Sequence, residues 1–195
     1  MAILVKSSTV KSDKNRWGTS WACFYDAQYL YGSKFVLDVA AEPETTKAQR
    51  FYASADWFDL ARSRGSFNVS ELDHLVGFDG LACDWEPHWW CNPPFDLKSE
   101  FLAKANHEVK RGNPGMMLLP YEPLTGWWRE GVEGHACAIY EPDGRYNFLE
   151  PDGVTKKTGA NFGSVFVLFT PGYFPHPQRI QFERGIWTQK REIAA

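Results

Sequence analysis

Asn92-Pro93-Pro94-Phe95 is the stretch of this chain whose residue types and spacing suit chemistry. The Asn92 side chain offers one carbonyl acceptor and two donors. Two prolines follow, with fixed φ angles and no N–H, so their carbonyls stand outside a helix ladder. The turn is a rigid pair of acceptors: the Asn92 side-chain oxygen and a proline carbonyl. Two adjacent acceptors match an –NH2 group, and Phe95 adds a face for a flat ring. An aromatic amine is a poor nucleophile because its lone pair is delocalised into the ring. Acceptors on both N–H bonds favour a more nucleophilic, pyramidal nitrogen, which is preorganised electrostatic help that requires no general base. The spacing also fits a stiff strand-to-helix turn with no chemical role. On the turn's residues alone both readings stand.

A second chemical candidate is weaker. Cys83, His88 and Cys91 are close in sequence, but a structural zinc site needs four tetrahedral ligands and no fourth is evident. Free, buried thiols are the simpler reading, and no metal is expected. His88, His107 and His135 read as surface or satisfied histidines.

The elements that must position the turn follow from periodicity. KFVLDVAA (34–41) reads as a buried strand carrying Asp38 near its carboxyl end. The following EPETTKAQRFYA reads as loop into helix, and residues 62–80 as an insertion or short helix-loop. HWWC reads as a strand ending at Asn92. In DLKSEFLAKANHEVKR, Leu97, Phe101, Ala105 and Val109 recur every four residues and predict a helix, with Asp96 as N-cap and Gly112 as its stop. GMMLLPY, HACAIY and SVFVLFT read as further strands, and TGWWREGV as a helix in which Trp127 and Trp128 anchor it to the sheet. This alternation predicts an α/β fold with a mostly parallel sheet, helices on both faces and an antiparallel last strand. In open sheets of this kind ligands sit beyond the carboxyl ends of the strands. That rule brings Asp38, Asp84 and the 92–95 turn toward one edge.

Composition sets the limits. A chain of 195 residues suits one domain, 1–195, with 1–14 and 173–195 as peripheral extensions. With 24 acidic and 21 basic residues the formal charge is −3, which excludes a binder relying on bulk positive charge. Any grip on nucleic acid must be local, and Lys156-Lys157 and the C-terminal Arg179, Arg184, Lys190 and Arg191 are candidates beside the simpler reading of solvated charge. The opening MAILVKSSTVKS has too short an apolar run for a signal peptide, and no stretch approaches the roughly 20 apolar residues that span a bilayer. A cytoplasmic chain without a membrane partner is expected. Nine tryptophans suit packing or base stacking, and composition does not choose between them.

Taken in order, W-G-T-S (17–20), LDVAAEPETTKAQRFYA (37–53), GLACDWEPHWWCNPPF (80–95), MLLPYEPLTGWW (117–128), DGRYNF (143–148) and GSVFVLFTP (163–171) resemble the bacteriophage DNA adenine-methyltransferase (Dam-type) family over about residues 15–172. The resemblance implies a Rossmann-like fold using S-adenosylmethionine to methylate the exocyclic amine of adenine in double-stranded DNA. It makes Asn92, Pro93, Pro94 and Phe95 the catalytic turn, with the base extruded from the duplex to reach it. It places Trp17, Thr19, Asp38, Ala40, Asp84 and Trp85 around the cofactor, and Arg145 and Thr125 on the substrate side. Ala40-Ala41-Glu42 stands where a glycine loop is common, Ser20 where proline is common, and the ribose-binding acid is unassigned unless Glu42 serves. A monomer is the favoured state. Transfer to cytosine, RNA or a protein glutamine uses the same turn, and a non-catalytic binder that keeps the fold is the reading from another class.

Overall fold

The central strands are short apolar runs buried on both faces, and they hold the site at their carboxyl ends. In the computed structural model, residues 15–57, 59, 74–157 and 162–189 are described. In chain order the elements are β1 (Gly18–Thr19), α1 (Trp21–Tyr31), β2 (Leu37–Asp38), β3 (Arg50–Ala53), β4 (Leu75–Phe78) and β5 (Trp89–Cys91). A 3-10 turn (Phe95–Leu97) leads into α2 (Lys98–Lys110), followed by β6 (Gly115–Pro120), α3 (Gly126–Gly131), β7 (Ala138–Pro142), β8 (Phe148–Leu149), β9 (Ser164–Phe169) and β10 (Gln178–Phe182).

Eight strands form one sheet in the order β10-β7-β9-β6-β5-β2-β3-β4, while β1 and β8 pair separately. Every neighbour contact in the large sheet is parallel except those of β9, which runs antiparallel to both β6 and β7. The antiparallel strand predicted for SVFVLFT is therefore slotted inside the sheet. The chain then returns, and β10 extends the sheet beyond β7, so part of 173–195 is an edge strand. The direction of strand order reverses between β2 and β5, which are hydrogen-bonded neighbours.

Period-two alternation sorts each strand onto two cores. Trp89, Cys91, Met117 and Leu119 face one core with Phe101, Leu102 and Ala105 of α2, whereas Trp90, Met116 and Leu118 face the other with Cys23, Phe24 and Ala27 of α1. Helices thus cover both faces. No helix among the described residues is long and apolar enough to cross a membrane.

Three sequence expectations are corrected. RFYA is strand β3, and no helix follows β2. LVGF, read as part of an insertion, is β4; residues 62–73 of that insertion lie outside the described residues. Trp21–Tyr31 forms a helix that the sequence reading leaves unassigned. Its N-cap is Ser20, whose hydroxyl accepts from the Cys23 N–H at 3.4 Å, and it ends at Gly32 in the left-handed region (φ 81°). The helix predicted over 96–111 is present, but Asp96 sits in the 3-10 turn and Leu97 holds the cap position.

Candidate active site

Because β2, β5 and β6 are adjacent and parallel, the loop after β2 and the 92–95 turn after β5 lie side by side. Two cavities open there. The larger, about 560 Å³, is walled by Arg16 and Trp17, by Val39 to Glu42 after β2, by Tyr52 to Asp56 at the end of β3, by Asp79 to Leu81 after β4, and by Asn92, Pro94, Leu97 and Phe101. That volume lies in the range of small-molecule sites, about 300–1,000 Å³. The smaller, about 30 Å³, is mostly apolar and is lined by Pro93, Phe95, Leu118, Pro120, Phe148 and Phe162, with Lys98 and Ser164 as polar members. Asn15, Trp17 and Asn92 line both. These three residues form the partition between the cavities.

Asn92 is held in one orientation. Its Nδ2 donates to the Trp17 carbonyl at 2.8 Å, which leaves Oδ1 as the acceptor of the group. No described residue donates to the Pro93 carbonyl, whereas the Pro94 carbonyl receives the Leu97 N–H at 3.0 Å. Among the described residues nothing donates to Asn92 Oδ1 or to the Pro93 carbonyl, the two acceptors of the turn. Asn15 fastens the same turn from outside: its Nδ2 donates to Asp96 Oδ2 at 3.0 Å, and its Oδ1 accepts from the Asp96 N–H at 3.1 Å. Phe95 packs at 5.4 Å from Phe162, and the Lys98 ammonium lies 4.7 Å from its ring centroid. One face of Phe95 thus carries a cation.

The loop after β2 is shaped by Asp38. Its carboxylate accepts from the Ala40 N–H at 3.4 Å and the Lys47 N–H at 3.3 Å. Burial pushes its carboxyl up to about 6 in spite of those two donors and the Lys47 charge. The Val39 carbonyl closes against Gly80, where a Cβ would collide with it, so the two loops meet only because residue 80 is glycine. Asp79 adopts a left-handed backbone (φ 59°), and its Oδ1 accepts from the Leu81 N–H at 3.1 Å.

The cofactor-side expectations divide accordingly. Trp17 and Ala40 line the larger cavity. Asp38 and Thr19 are buried without lining either cavity, Asp38 acting through the loop and Thr19 pairing with Phe148. Asp84 and Trp85 lie elsewhere. Asp84 is an exposed carboxylate paired with Arg111 at 2.7 Å, and that guanidinium holds it below the usual carboxylate range. Trp85 is buried, stacks near Trp89 and Phe101, and donates from Nε1 to the Gly80 carbonyl at 2.7 Å, supporting the loop from behind. The reason is register: β4 ends at Phe78, so the acid at its carboxyl end is Asp79, five residues earlier. Glu42 follows β2 and pairs with Arg16, while the acid after β3 is Asp56. Thr125 caps the start of α3 and donates to the Glu122 carbonyl at 2.8 Å; Arg145 is exposed and its carbonyl accepts from Arg184 at 2.6 Å. Neither lines either of these two cavities.

The cysteine-histidine group is dispersed: Cys91 is in the core, with its thiol pushed well up by burial, and the His88 ring lies 2.8 Å from the Tyr31 hydroxyl. Among the described residues no cluster of three His, Cys, Asp or Glu side chains is arranged to hold a metal. Of the basic candidates, Lys157, Arg179 and Arg184 are all ion-paired, and Lys190 and Arg191 lie outside the described residues.

The sheet, with one inserted antiparallel strand and two cavities at the reversal of strand order, is the Rossmann-like α/β arrangement expected from the sequence. A family profile described as DNA N-6-adenine-methyltransferase (Dam) matches residues 76–188, and the chain belongs to that family. It is 26% identical over 171 residues to the DNA N-6-adenine-methyltransferase of Haemophilus phage HP1, covering 87% of this chain and 86% of that one. It is 25% identical over 176 residues to the enzyme of the same name from Escherichia phage T1, covering 83% of this chain and 65% of that relative. Among solved structures, a Listeria monocytogenes protein provisionally assigned as a class I S-adenosylmethionine-dependent methyltransferase aligns over 96% of this chain and 72% of its own, at 12% identity and a TM-score of 0.48.

Proposed function

We propose that this chain methylates the N6 amine of adenine in double-stranded DNA, with the target base rotated out of the duplex onto the 92–95 turn, at the mouth of the smaller cavity, which must widen to admit it. The observation that carries this reading is the position of Asn92 in the partition, its donor anchored on Trp17 and its acceptor left over. S-adenosylmethionine, bound in the larger cavity, supplies an electrophilic methyl group. At its adenosine end Leu81, Leu97 and Phe101 offer apolar faces, Asp79 an acceptor for the purine amine and Asp56 one for the ribose hydroxyls. Asn92 Oδ1 and the Pro93 carbonyl accept the two N–H bonds of the target amine and draw its lone pair out of the ring. Phe95 offers the base a ring face, Phe162 packs against Phe95 at 5.4 Å, and the apolar lining excludes water. Extrusion of the base costs a few kcal/mol, which stacking against such rings offsets. On this reading the chain is a single-domain methyltransferase that works as a monomer in the cytoplasm of a host bacterium.

Transfer of labelled methyl to unmethylated duplex DNA tests this, with the product nucleosides separated. We expect label in N6-methyladenine, and a fall of about 10²–10³ in turnover for Asn92→Ala, the effect of removing one preorganised polar contact to the reacting group. Label in methylcytosine, or on RNA or protein alone, would refute the adenine assignment. An unimpaired Asn92→Ala would refute the role of the turn.

A further inference from the structure

DNA presents a dense line of phosphates, and this chain meets it with a formal charge of −3, so its grip depends on single cations placed beside the site. Arg16 and Lys98 are the basic residues that line the two cavities. Arg16 is committed to Glu42. Lys98 lines the smaller cavity, and among the described residues it has no carboxylate partner.

Helix α2 gives no reason for an ammonium at that position. Lys98 is its first residue, where the peptide dipoles leave a partial positive charge and a cation is unfavourable by about 0.3–1 kcal/mol. The nearby acids do not compensate: Asp96 is held by Asn15, and Glu100 of the same first turn makes no ion pair with Lys98. The ammonium is held by the site instead. Its Nζ donates to the Phe95 carbonyl at 3.2 Å and lies 4.7 Å from the Phe95 ring centroid and 5.3 Å from that of Trp127. One of three donors is used, on a neutral carbonyl. Ring faces attract a cation but leave its charge in place. The residue is half-buried, on a flexible four-carbon stem.

A base that leaves the duplex turns about its backbone, so its flanking phosphates come to the mouth of the pocket that receives it. A phosphate is the anionic part of a nucleotide, and an ammonium meets it as a point charge without demanding one fixed geometry.

We propose that Lys98 holds a backbone phosphate beside the extruded adenosine and so tethers the target nucleotide on the turn. The proposal rests on the reading of the 92–95 turn as the seat of the target base. It gives Phe95 two tasks: its ring offers a face to the base, and its carbonyl holds the cation that grips the backbone.

The test is the salt dependence of methyl transfer to unmethylated duplex DNA amplified in vitro. We compare kcat/KM from about 50 to about 200 mM salt for wild type, Lys98→Gln, Lys98→Arg and Lys110→Gln, the last an exposed lysine at the other end of α2. Each phosphate contact contributes about −0.9 to the slope of log affinity against log salt. We expect Lys98→Gln to be about tenfold less active at the low-salt end, as for one weak charge-assisted hydrogen bond, with a slope shallower by about 0.9. Lys98→Arg and Lys110→Gln keep the wild-type slope. An unchanged slope in Lys98→Gln would overturn the proposal, whatever the fall in rate, and make Lys98 a support of Phe95. Loss of all turnover in that variant would overturn it as well, since one phosphate contact is worth too little to abolish transfer. Equal flattening in Lys110→Gln would reduce the effect to overall charge and overturn the local contact. A wild-type chain that transfers methyl to no DNA would remove the DNA reading itself, an outcome distinct from the others.

Discussion

Asp38 carries a proton whose release is coupled to folding. The unfolded chain releases it near 3.8 and the folded chain near 6, because burial penalises the charge more than the Ala40 and Lys47 N–H groups favour it. Between those values the folded state binds more protons, so the stability this group contributes is full below about pH 4 and lost as pH rises through 6. The loss is on the order of 3 kcal/mol, a little over two pH units at about 1.4 kcal/mol each. Asp38→Asn removes the titration. The other carboxylates titrate alike in both proteins, and the cost of placing an amide N–H against a backbone donor does not vary with pH. We therefore expect the unfolding free energy of Asp38→Asn relative to wild type, measured in urea, to rise between pH 4 and pH 6.5 and to be level above that. Parallel curves across the window would show that Asp38 ionises as freely in the fold as outside it.

At the scale of elements, the segment from Asn15 to Thr19 decides how the turn is held. Asn15→Ala deletes the two bonds to Asp96 on an exposed surface, where stability effects are small. Its effect on geometry is larger, because the Asn92 amide loses the neighbour that fixes its partner strand. We expect turnover to fall about tenfold, in line with the sensitivity of positioned reactants to small displacements, while the melting temperature moves by only a few degrees. An unchanged turnover would show that Trp17 alone sets the turn.

This scale also explains which parts are legible in the sequence. β5, β6 and β9 are continuous apolar runs and announce themselves, as does α2 through Phe101, Ala105 and Val109. The NPPF turn is legible because two prolines leave one backbone path. Helix α1 is hidden because its large side chains point all round: Phe24 is buried, yet Trp21, Tyr25 and Tyr29 are exposed, so no 3.6-residue stripe stands out. β3 and β4 are four residues each, too short for periodicity to separate them from the polar stretches around them. Without β4 the sequence puts Asp84 on this edge, whereas the acid at the carboxyl end of β4 is Asp79. A Phe-Asp-Gly step after alternating LVGF is the signal that identifies it. Arg16 carries no such signal, since its partner Glu42 is 26 residues away and meets it only in the fold.

At the scale of the whole molecule, the two ends of the chain are tied by one buried carboxylate. Asp26 in α1 accepts from the Tyr146 hydroxyl at 2.7 Å, the Gly185 N–H at 2.7 Å and the Trp187 N–H at 3.1 Å. Tyr25, one residue before it, stacks on Trp187 at 5.1 Å, and Trp21 continues the stack at 5.4 Å. Gly185 takes a left-handed φ of 82°, which allows the chain leaving β10 to turn both N–H groups onto the carboxylate. The clasp thus fastens α1 on one core, the connection between β7 and β8, and the segment after the edge strand. None of its members lines either cavity. Asp26→Ala strands a phenol and two amides in a place where water reaches them poorly, a cost of about 3 kcal/mol or more. For a chain of this length that lowers the melting temperature by roughly 6–12 °C. Stability and site separate here. Below its melting range the variant should bind S-adenosylhomocysteine with the affinity of wild type, because no clasp residue lines the larger cavity. Calorimetry at 15 °C beside a thermal melt checks both halves. A variant that melts like wild type would show that the β10–β7 ladder alone secures the C-terminal segment, and one that loses the ligand while folded would show that α1 transmits strain from the clasp to the partition at Trp17.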